Sequence, residues 1–297
     1  ISDTDQTIYV PSIRTTVIDS ENGSHNSAAD QDITLIDTVR YNGAEIGRKY
    51  TVTGTLVDKE TGKALQDDAG KDITASTEFT AEKTNGTVDV TFKFSGVNLA
   101  GKITVVFENM YTEGKEVAVH ADLRDEKQTE YFPAVHTTAT SNDTKDHVVG
   151  ANEKVTITDQ VALKALKLGT EYTLSGTLMN AKTKKPIMVN GNTITARRTF
   201  TADAHEMTIP LTYTLNASEL APIHWMLPLW QEPQQLYLKI CILTAHFWQL
   251  MLTLRMQSRQ YISQRFIQLQ RIRQQRSTTP RQTRQPPSLI PFPIQTC

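Results

Sequence analysis

The 297-residue chain is long enough for two domains of ordinary size, each with its own hydrophobic core, so its length excludes neither an enzyme nor a scaffold. Its net charge of −1 conceals two unlike parts: residues 1–220 carry 22 basic and 31 acidic side chains, whereas residues 221–297 carry nine basic and one acidic. Both cysteines, Cys241 and Cys297, lie in the basic part. The acidic part can therefore form neither a disulfide nor a thiolate metal site, and other interactions must stabilise it.

An internal repeat organises the acidic part. Residues 3–17, DTDQTIYVPSIRTTV, match residues 125–139, DEKQTEYFPAVHTTA, at a spacing of 122 residues, so that Gln6 corresponds to Gln128. The strings that follow each boundary also correspond, for example ITLIDTVRY with VTITDQVAL. We therefore predict four segments: the end of a preceding repeat at 1–9, a complete repeat at 10–133, the N-terminal part of a second repeat at 134–221, and a tail at 222–297.

Short β-strands are predicted throughout both repeats. Runs rich in Val, Ile, Thr, Tyr and Phe alternate apolar with polar residues, which is the pattern of a strand with one buried face. Turn pairs such as Asn22-Gly23, Asn85-Gly86 and Asn190-Gly191 separate these runs. The pattern predicts an all-β fold of tandem immunoglobulin-like antiparallel β-sandwiches, of which the second is incomplete.

The tail abandons the repeat pattern, and three interpretations compete. Residues 236–254 form a mostly apolar stretch followed by arginines, which is typical of a membrane anchor with a positive cytoplasmic flank. The nine basic residues would instead suit a nucleic-acid-binding arm. The third interpretation is that the tail is the right gene read in the wrong frame.

Back-translation favours the frameshift. Codons compatible with Tyr237–Leu243, read from one base earlier, spell FENMYT, which is the string at Phe107–Thr112. The same shift turns residues 230–273 into strings that match the end of the first repeat and the opening of a third. We therefore predict a non-native, disordered tail, with no genuine membrane span and no nucleic-acid partner. The second sandwich would then lack its closing strands.

Two polar residues of the first repeat fall where the alternation places buried side chains. Thr15 is in phase with its apolar neighbours in SIRTTVI, whereas Thr16 faces the other way. Asp37 is in phase with the apolar residues of ITLIDTV, where partial desolvation would raise its pKa. A strand threonine ordinarily reflects β-propensity alone, but these two residues recur in the second repeat as Thr137 and Asp159.

Three further polar residues lie near the end of the first repeat. Glu108 is within the apolar run ITVVFENMY, and His120 and Gln128 flank the string HADLRDEKQ. Singly, each would be read as a structural or solvent-facing residue. All three recur in the shifted frame of the tail, where the His-to-Gln spacing is again eight residues. The polar residues therefore repeat together with the fold.

As a set, these motifs resemble the Thr-Gln ester-bond domains, or VaFE repeats, of Gram-positive surface adhesins. The resemblance is carried by TTV, LIDTV, YTVTGTLVDKETGK, VVFEN and HADLRDEKQT, and it covers residues 10–133 fully and the second repeat as far as Ala221. It implies that Thr15 Oγ attacks the side-chain carboxamide carbon of Gln128. Ammonia would leave, and an ester would join the first and last strands of the repeat.

The resemblance also implies roles for three other residues. His120 would activate the hydroxyl, while Asp37 and Glu108, sharing one proton, would polarise the amide and help ammonia leave. Thr16 is the alternative nucleophile, although the alternation favours Thr15. Each domain would react once, without a cofactor or metal, so the resemblance implies a structural stalk module rather than an enzyme.

The chain's setting is also implied by the resemblance. We expect an extracellular protein anchored to the cell wall through regions absent from this chain, whose partners are neighbouring repeats and a host ligand bound by absent domains. Gln6 belongs to a preceding repeat and Thr137 has lost its glutamine to the frame, so neither should be cross-linked.

Three rival functions remain open to test. The repeats would bind a host ligand directly without a cross-link, although no cluster of aromatic residues supports this. A hydrolase would use Thr15, His120 and Asp37, but repeated architecture is typical of stalks rather than active sites. A metal site would use Glu108, His120 and Asp122, although hard cations usually gather more carboxylates at closer spacing.

Overall fold

The chain is all-β, as predicted. The computed structural model describes residues 6–30, 32–148, 154–181, 183–216 and 219, and the backbone of 236–244. The strands of the first repeat are β1 (Ser12–Asp19), β2 (Ile33–Asn42), β3 (Lys49–Asp58), β4 (Thr74–Thr80), β5 (Gly86–Phe94), β6 (Ile103–Thr112), β7 (Lys115–His120) and β8 (Thr129–Tyr131). Those that follow are β9 (Ala134–Ser141), β10 (Val155–Lys164), β11 (Glu171–Asn180), β12 (Met188–Val189), β13 (Asn192–Thr193), β14 (Thr195–Thr201), β15 (Met207–Leu215) and β16 (Leu236–Thr244).

The first repeat is a sandwich of two antiparallel sheets. One sheet has the strand order β1-β2-β5, and the other has the order β4-β3-β6-β7, with β8 also paired to β6. Every second side chain of β1 is buried between the sheets, which is why its alternating sequence forms a strand here. The core between the sheets is formed mainly by Val17, Leu35, Val39, Tyr50, Val52, Leu56, Phe92, Val106 and Met110.

The backbone before β8 lies between the two sheets of the first repeat. The amide of Val17 on β1 donates to Lys127 O at 2.9 Å, and the amide of Val106 on β6 donates to Gln128 O at 3.1 Å. Strand β8 then continues along β6, with Thr129 opposite Val105. Gln128 is thereby held where the first strand of one sheet approaches a central strand of the other.

The second repeat surrounds a separate hydrophobic core with the same order of strands. Strands β9, β10 and β15 form one sheet, as β1, β2 and β5 do in the first repeat. The predicted Asn190-Gly191 turn connects β12 to β13, and both turn residues have positive φ, as a two-residue hairpin requires. The predicted domain boundaries themselves stay a prediction.

One segment of the predicted tail forms a strand. The tail was expected to be disordered, but Leu236–Thr244 forms β16, which pairs with β11 as β6 pairs with β3. The string LYLKICILT is rich in residues that favour strands, which is sufficient to pair with the open edge of β11. The remainder of the predicted tail lies outside the described residues. Within the described part of the chain, no helix is long and apolar enough to cross a membrane.

Candidate functional site

Four of the predicted site residues meet inside the first sandwich. Thr15 Oγ1 donates a hydrogen bond to Glu108 Oε2 at 3.1 Å, and Gln128 Nε2 donates one to Asp37 Oδ1 at 3.3 Å. Asp37, Glu108 and Gln128 have no solvent exposure, and Thr15 is 5% exposed. Residues that are far apart in sequence therefore form one dry polar cluster within the apolar core.

Strand register brings these side chains together. On the paired strands β1 and β2, Thr15 lies opposite Val39 and Val17 lies opposite Asp37, so Thr15 and Asp37 point into the core from adjacent strands. Glu108 enters from the other sheet, where β6 pairs with β3. Thr16 is exposed on the opposite face of β1, as the alternation predicted, so Thr15 is the threonine of this pair that lies in the cluster.

The two carboxyl groups cannot both be ionised at low cost. Burial raises the pKa of Glu108 to about 11, with further contributions from the negative charge of Asp37 and the hydrogen bond to it. Burial also raises the pKa of Asp37. Among the described residues, no donor reaches Asp37 Oδ2 or Glu108 Oε1. Two ionised carboxylates could only accept hydrogen bonds and so could not satisfy each other. One proton held by Glu108 and donated to Asp37 satisfies the pair at neutral pH.

The side-chain amide of Gln128 is hydrogen-bonded through its nitrogen but not through its oxygen. Its nitrogen donates to Asp37, whereas Oε1 is buried with no hydrogen-bond partner among the described residues. An unpartnered buried carbonyl oxygen is costly in a resting protein. It is also the atom on which negative charge would develop if the carboxamide carbon were attacked.

His120 is close to the cluster but bonded elsewhere. It lies directly opposite Glu108 on the paired strands β6 and β7 and is 8% exposed. Its Nε2 is 3.0 Å from Asp125 Oδ2, whereas the Thr15 hydroxyl donates to Glu108. The predicted role of His120 as the base for Thr15 therefore stays a prediction.

The alternative metal site is not assembled. Asp122 is exposed and accepts a hydrogen bond from the amide of Arg124, while His120 is bonded to Asp125. In the parts of the chain that the structure describes, no group of three or more His, Cys, Asp or Glu side chains is arranged to hold a metal ion.

Comparison with known families identifies the chain. The sequence profile of the T-Q ester bond containing domain matches residues 11–131 and again residues 133–224. The chain belongs to the family of T-Q ester bond containing domains. No curated protein matches the sequence.

Several solved structures are similar to this T-Q ester bond chain. One is a bacterial adhesin from Mobiluncus mulieris containing intramolecular disulfide, isopeptide and ester bond cross-links, with 15% identity, a TM-score of 0.35, and coverage of 67% of this chain and 76% of that one. Another is a DUF4466 family protein from Parabacteroides merdae, with 10% identity, a TM-score of 0.26, and coverage of 69% and 98%. These likenesses are too distant to carry a functional argument.

Asp125 is a site residue that the sequence analysis missed. Its Oδ2 holds His120 Nε2, and its Oδ1 accepts the amide of Lys127, the residue before Gln128. A signal was present, because the match of DTDQT with DEKQT places Asp3 three residues before Gln6, as Asp125 precedes Gln128. Recurrence within the repeat could therefore have found it.

We expect Asp125→Asn to slow cross-linking in this T-Q ester bond domain without preventing it. Asparagine is nearly isosteric but carries no charge to stabilise a protonated His120, and a general base typically contributes about 10² to 10⁴ in rate. The measurement is the fraction of cross-linked chain against time after a short pulse of synthesis, by intact mass. A rate equal to that of the wild type would exclude a role for His120, held by Asp125, as the general base.

The second repeat contains half of the same site. Thr137 lies on β9, and Asp159 on β10 is fully buried. Among the described residues, no donor lies within hydrogen-bond distance of either Asp159 oxygen, and Thr137 is the side chain that faces it from the paired strand. Burial raises the pKa of Asp159, and it also raises the pKa of nearby Tyr213 to about 12. The Glu, His and Gln counterparts fall in the predicted frameshifted tail, outside the described side chains. Gln6 of the preceding repeat is exposed.

Proposed function

We propose that the first repeat is a stalk module of a cell-surface adhesin that cross-links itself through an ester between Thr15 and Gln128. The observation that supports this most directly is the buried pairing of Thr15 with Glu108 and of Gln128 with Asp37 in a domain of the T-Q ester bond family. A hydroxyl, a carboxamide and a protonated acid in one dry cluster are the components that the reaction needs.

The reaction starts at the Thr15 hydroxyl. A threonine hydroxyl is a weak nucleophile until a base within reach takes its proton, and His120, held by Asp125, is the candidate base. The Thr15 hydroxyl must first leave its hydrogen bond to Glu108, which requires a rotation about one side-chain bond. Thr15 Oγ1 then attacks Gln128 Cδ, and the carbonyl electrons move onto Oε1.

The Asp37–Glu108 pair acts on the other side of the amide. The proton of Glu108 stabilises the charge on Gln128 Oε1 and is then available to the departing nitrogen. The electrons on Oε1 then re-form the carbonyl, the carbon–nitrogen bond breaks as the nitrogen takes the proton of Glu108, and ammonia leaves. The proton that His120 took from Thr15 returns to the Asp37–Glu108 pair, and the Thr15 Oγ1–Gln128 Cδ ester remains. A hydroxyl and a carboxamide are thus converted into an ester and ammonia with no oxidant, reductant or cofactor.

The reaction can occur only once in a repeat that contains both residues. The nucleophile and the electrophile are both consumed, so the chemistry is self-modification rather than turnover of a substrate. Thr15, Asp37, Glu108 and Gln128 are buried in the core, so water that would hydrolyse the ester is kept away.

A stalk would gain from the position of this bond. Thr15 is on the first strand of the repeat, and Gln128 directly precedes the last. A tension applied to the ends of the repeat would therefore be borne by the ester rather than by the hydrogen bonds of β1 and β8. The surface location, the stalk role, the wall anchoring and the partners belong to the same proposal.

Intact mass tests the proposal. We expect the full chain to be lighter than its sequence mass by about 17 Da, the mass of one ammonia, and the Thr15→Ala and Gln128→Ala chains to show no loss. One loss rather than two is expected, because Thr137 has no glutamine partner. A tryptic digest should yield residues 15–40 joined to residues 128–145. Full sequence mass in the folded wild type would rule out the cross-link.

A further inference from the structure

A second buried polar cluster lies in the first repeat, apart from the ester site. Ser27 Oγ is 2.5 Å from Asp19 Oδ2 and 2.9 Å from Glu130 Oε1. The three residues are all buried, and Glu130 has no exposure at all. None of them has a part in the proposed reaction, although Glu130 is only two residues from Gln128.

The hydrogen bonds in this cluster run in one direction, from Glu130 through Ser27 to Asp19. The Ser27 hydroxyl carries one proton and cannot donate to both carboxyl groups. Burial raises the pKa of Glu130 well above its ordinary value, so Glu130 is neutral and donates to Ser27. Ser27 then donates to Asp19 Oδ2, and Asp19 Oδ1 also accepts the amide of Glu21 at 2.7 Å. Asp19 and Lys167 are the charged groups that act on Glu130.

The backbone around Ser27 holds β8 from the side opposite β6. The Ser27 amide donates to Tyr131 O at 2.9 Å, and the Tyr131 amide donates to His25 O at 3.0 Å. His25 Nδ1 is 3.0 Å from Thr129 O. Strand β8 has only three residues, so this loop supplies much of what fixes it in place.

We propose that Asp19, Ser27 and Glu130 form a clamp that positions Gln128 for attack by Thr15. The inference rests on the proposed cross-linking function. Gln128 is fixed on its C-terminal side by β8 and is preceded by turns, so a shift of β8 along β6 would move the carboxamide away from the hydroxyl. Misplacement of reacting groups by about 1 Å can cost about 100-fold in rate.

The clamp residue Glu130 is not shared with the preceding repeat. The residue that corresponds to Glu130 in the preceding repeat is Ile8, so the clamp is not part of the chemistry that the repeats share. The same loop also contacts the second repeat, because Tyr172 Oη donates to Asn26 Oδ1 at 2.8 Å. The clamp therefore lies where the first repeat meets the next one.

Cross-linking kinetics of the full chain test the clamp. After a short pulse of cell-free synthesis, the fraction that has lost ammonia is followed by intact mass in the wild type, Glu130→Ala, Glu130→Gln and Ser27→Ala. We expect Glu130→Ala and Ser27→Ala to slow the reaction by at least about tenfold. Glu130→Gln should restore most of the rate, because its neutral amide can donate to Ser27 as the protonated acid does.

Phe79→Ala is the matched control for simple destabilisation. Phe79 packs on Tyr41 and Tyr50, at the end of β3 away from β8. Each substitution is also made with Thr15→Ala, so that thermal unfolding without the ester gives its cost to the fold. The clamp is overturned if Phe79→Ala slows cross-linking as much as a clamp variant of equal stability does. It is also overturned if Glu130→Gln cross-links as slowly as Glu130→Ala, or if all variants cross-link at the wild-type rate. A wild type that loses no ammonia would overturn the proposed function itself.

Discussion

Glu108→Gln is expected to leave the first repeat folded but to reduce its rate of cross-linking by at least about 100-fold, the lower end of what a general acid contributes. Glutamine has nearly the same shape, and it can still accept from Thr15 and donate to Asp37. It has no acidic proton to give to Gln128 Oε1 or to the departing nitrogen. The measurement is intact mass of the purified full chain, with circular dichroism to confirm the β-fold.

The same variant tests which group holds the proton. In the Thr15→Ala chain, which forms no ester, the folded state keeps the Glu108 proton until its pKa of about 11, whereas the unfolded chain releases it near the ordinary pKa of 4.5. Between these values the folded state binds more protons, so stability should fall as pH rises. Denaturant unfolding at several pH values should show a shallower fall in Thr15→Ala/Glu108→Gln. Equal slopes would mean that Glu108 does not hold the proton.

Much of the fold and part of the site could be predicted because alternation decides which face of a strand is buried. That pattern placed Thr15 and Asp37 inside and Thr16 outside, and the structure confirms all three orientations. The prediction that desolvation raises the pKa of Asp37 is confirmed in direction. The alternation of side chains along a strand is enough to predict which of them are buried, since this alternation depends only on local sequence.

The pairing of side chains across the sandwich could not be predicted. Recurrence indicates which residues belong together, but it does not say that Thr15 bonds Glu108 rather than His120. That contact depends on how β1 approaches β6 and β7 in the other sheet, which no local pattern encodes. The clamp residue Glu130 was invisible to the same reasoning, because the repeat has Ile8 in its place.

The tail shows a second limit on what the sequence can predict. The reading frame says where a segment came from, whereas strand formation depends only on the side chains that are present. Leu236–Thr244 is rich in strand-forming residues and meets the open edge of β11, so it pairs whatever its origin. The frameshift itself stays a prediction that sequencing of the gene would test.

Loss of the ester is expected to lower the free energy of unfolding of the first repeat by about 4 to 5 kcal/mol, because the bond closes a loop of roughly 100 residues and restricts the unfolded chain. Thr15→Ala removes the bond, and Thr15→Ser, which retains a hydroxyl, should keep it. In a chain that has not reacted, Thr15→Ala removes the hydrogen bond from the Thr15 hydroxyl to Glu108, which contributes about 1 kcal/mol. The esterified Thr15 has no hydroxyl proton and makes no such bond.

A double-mutant cycle separates these two contributions to stability. Thr15→Ala is made in the cross-linked wild type and in Glu108→Gln, measured while intact mass shows that this chain is still unreacted. The difference between the two effects is the contribution of the ester beyond that of the hydrogen bond it replaces. The three tryptophans lie beyond residue 220, so hydrogen exchange in β1 and β8 reports on the first repeat better than fluorescence does. Exchange in β10 and β11 of the second repeat serves as an internal control, because that repeat should have no ester to lose. If Thr15→Ala costs the same in both backgrounds, the ester does not stabilise the fold, and a role in bearing tension would have to rest on the bond's position alone.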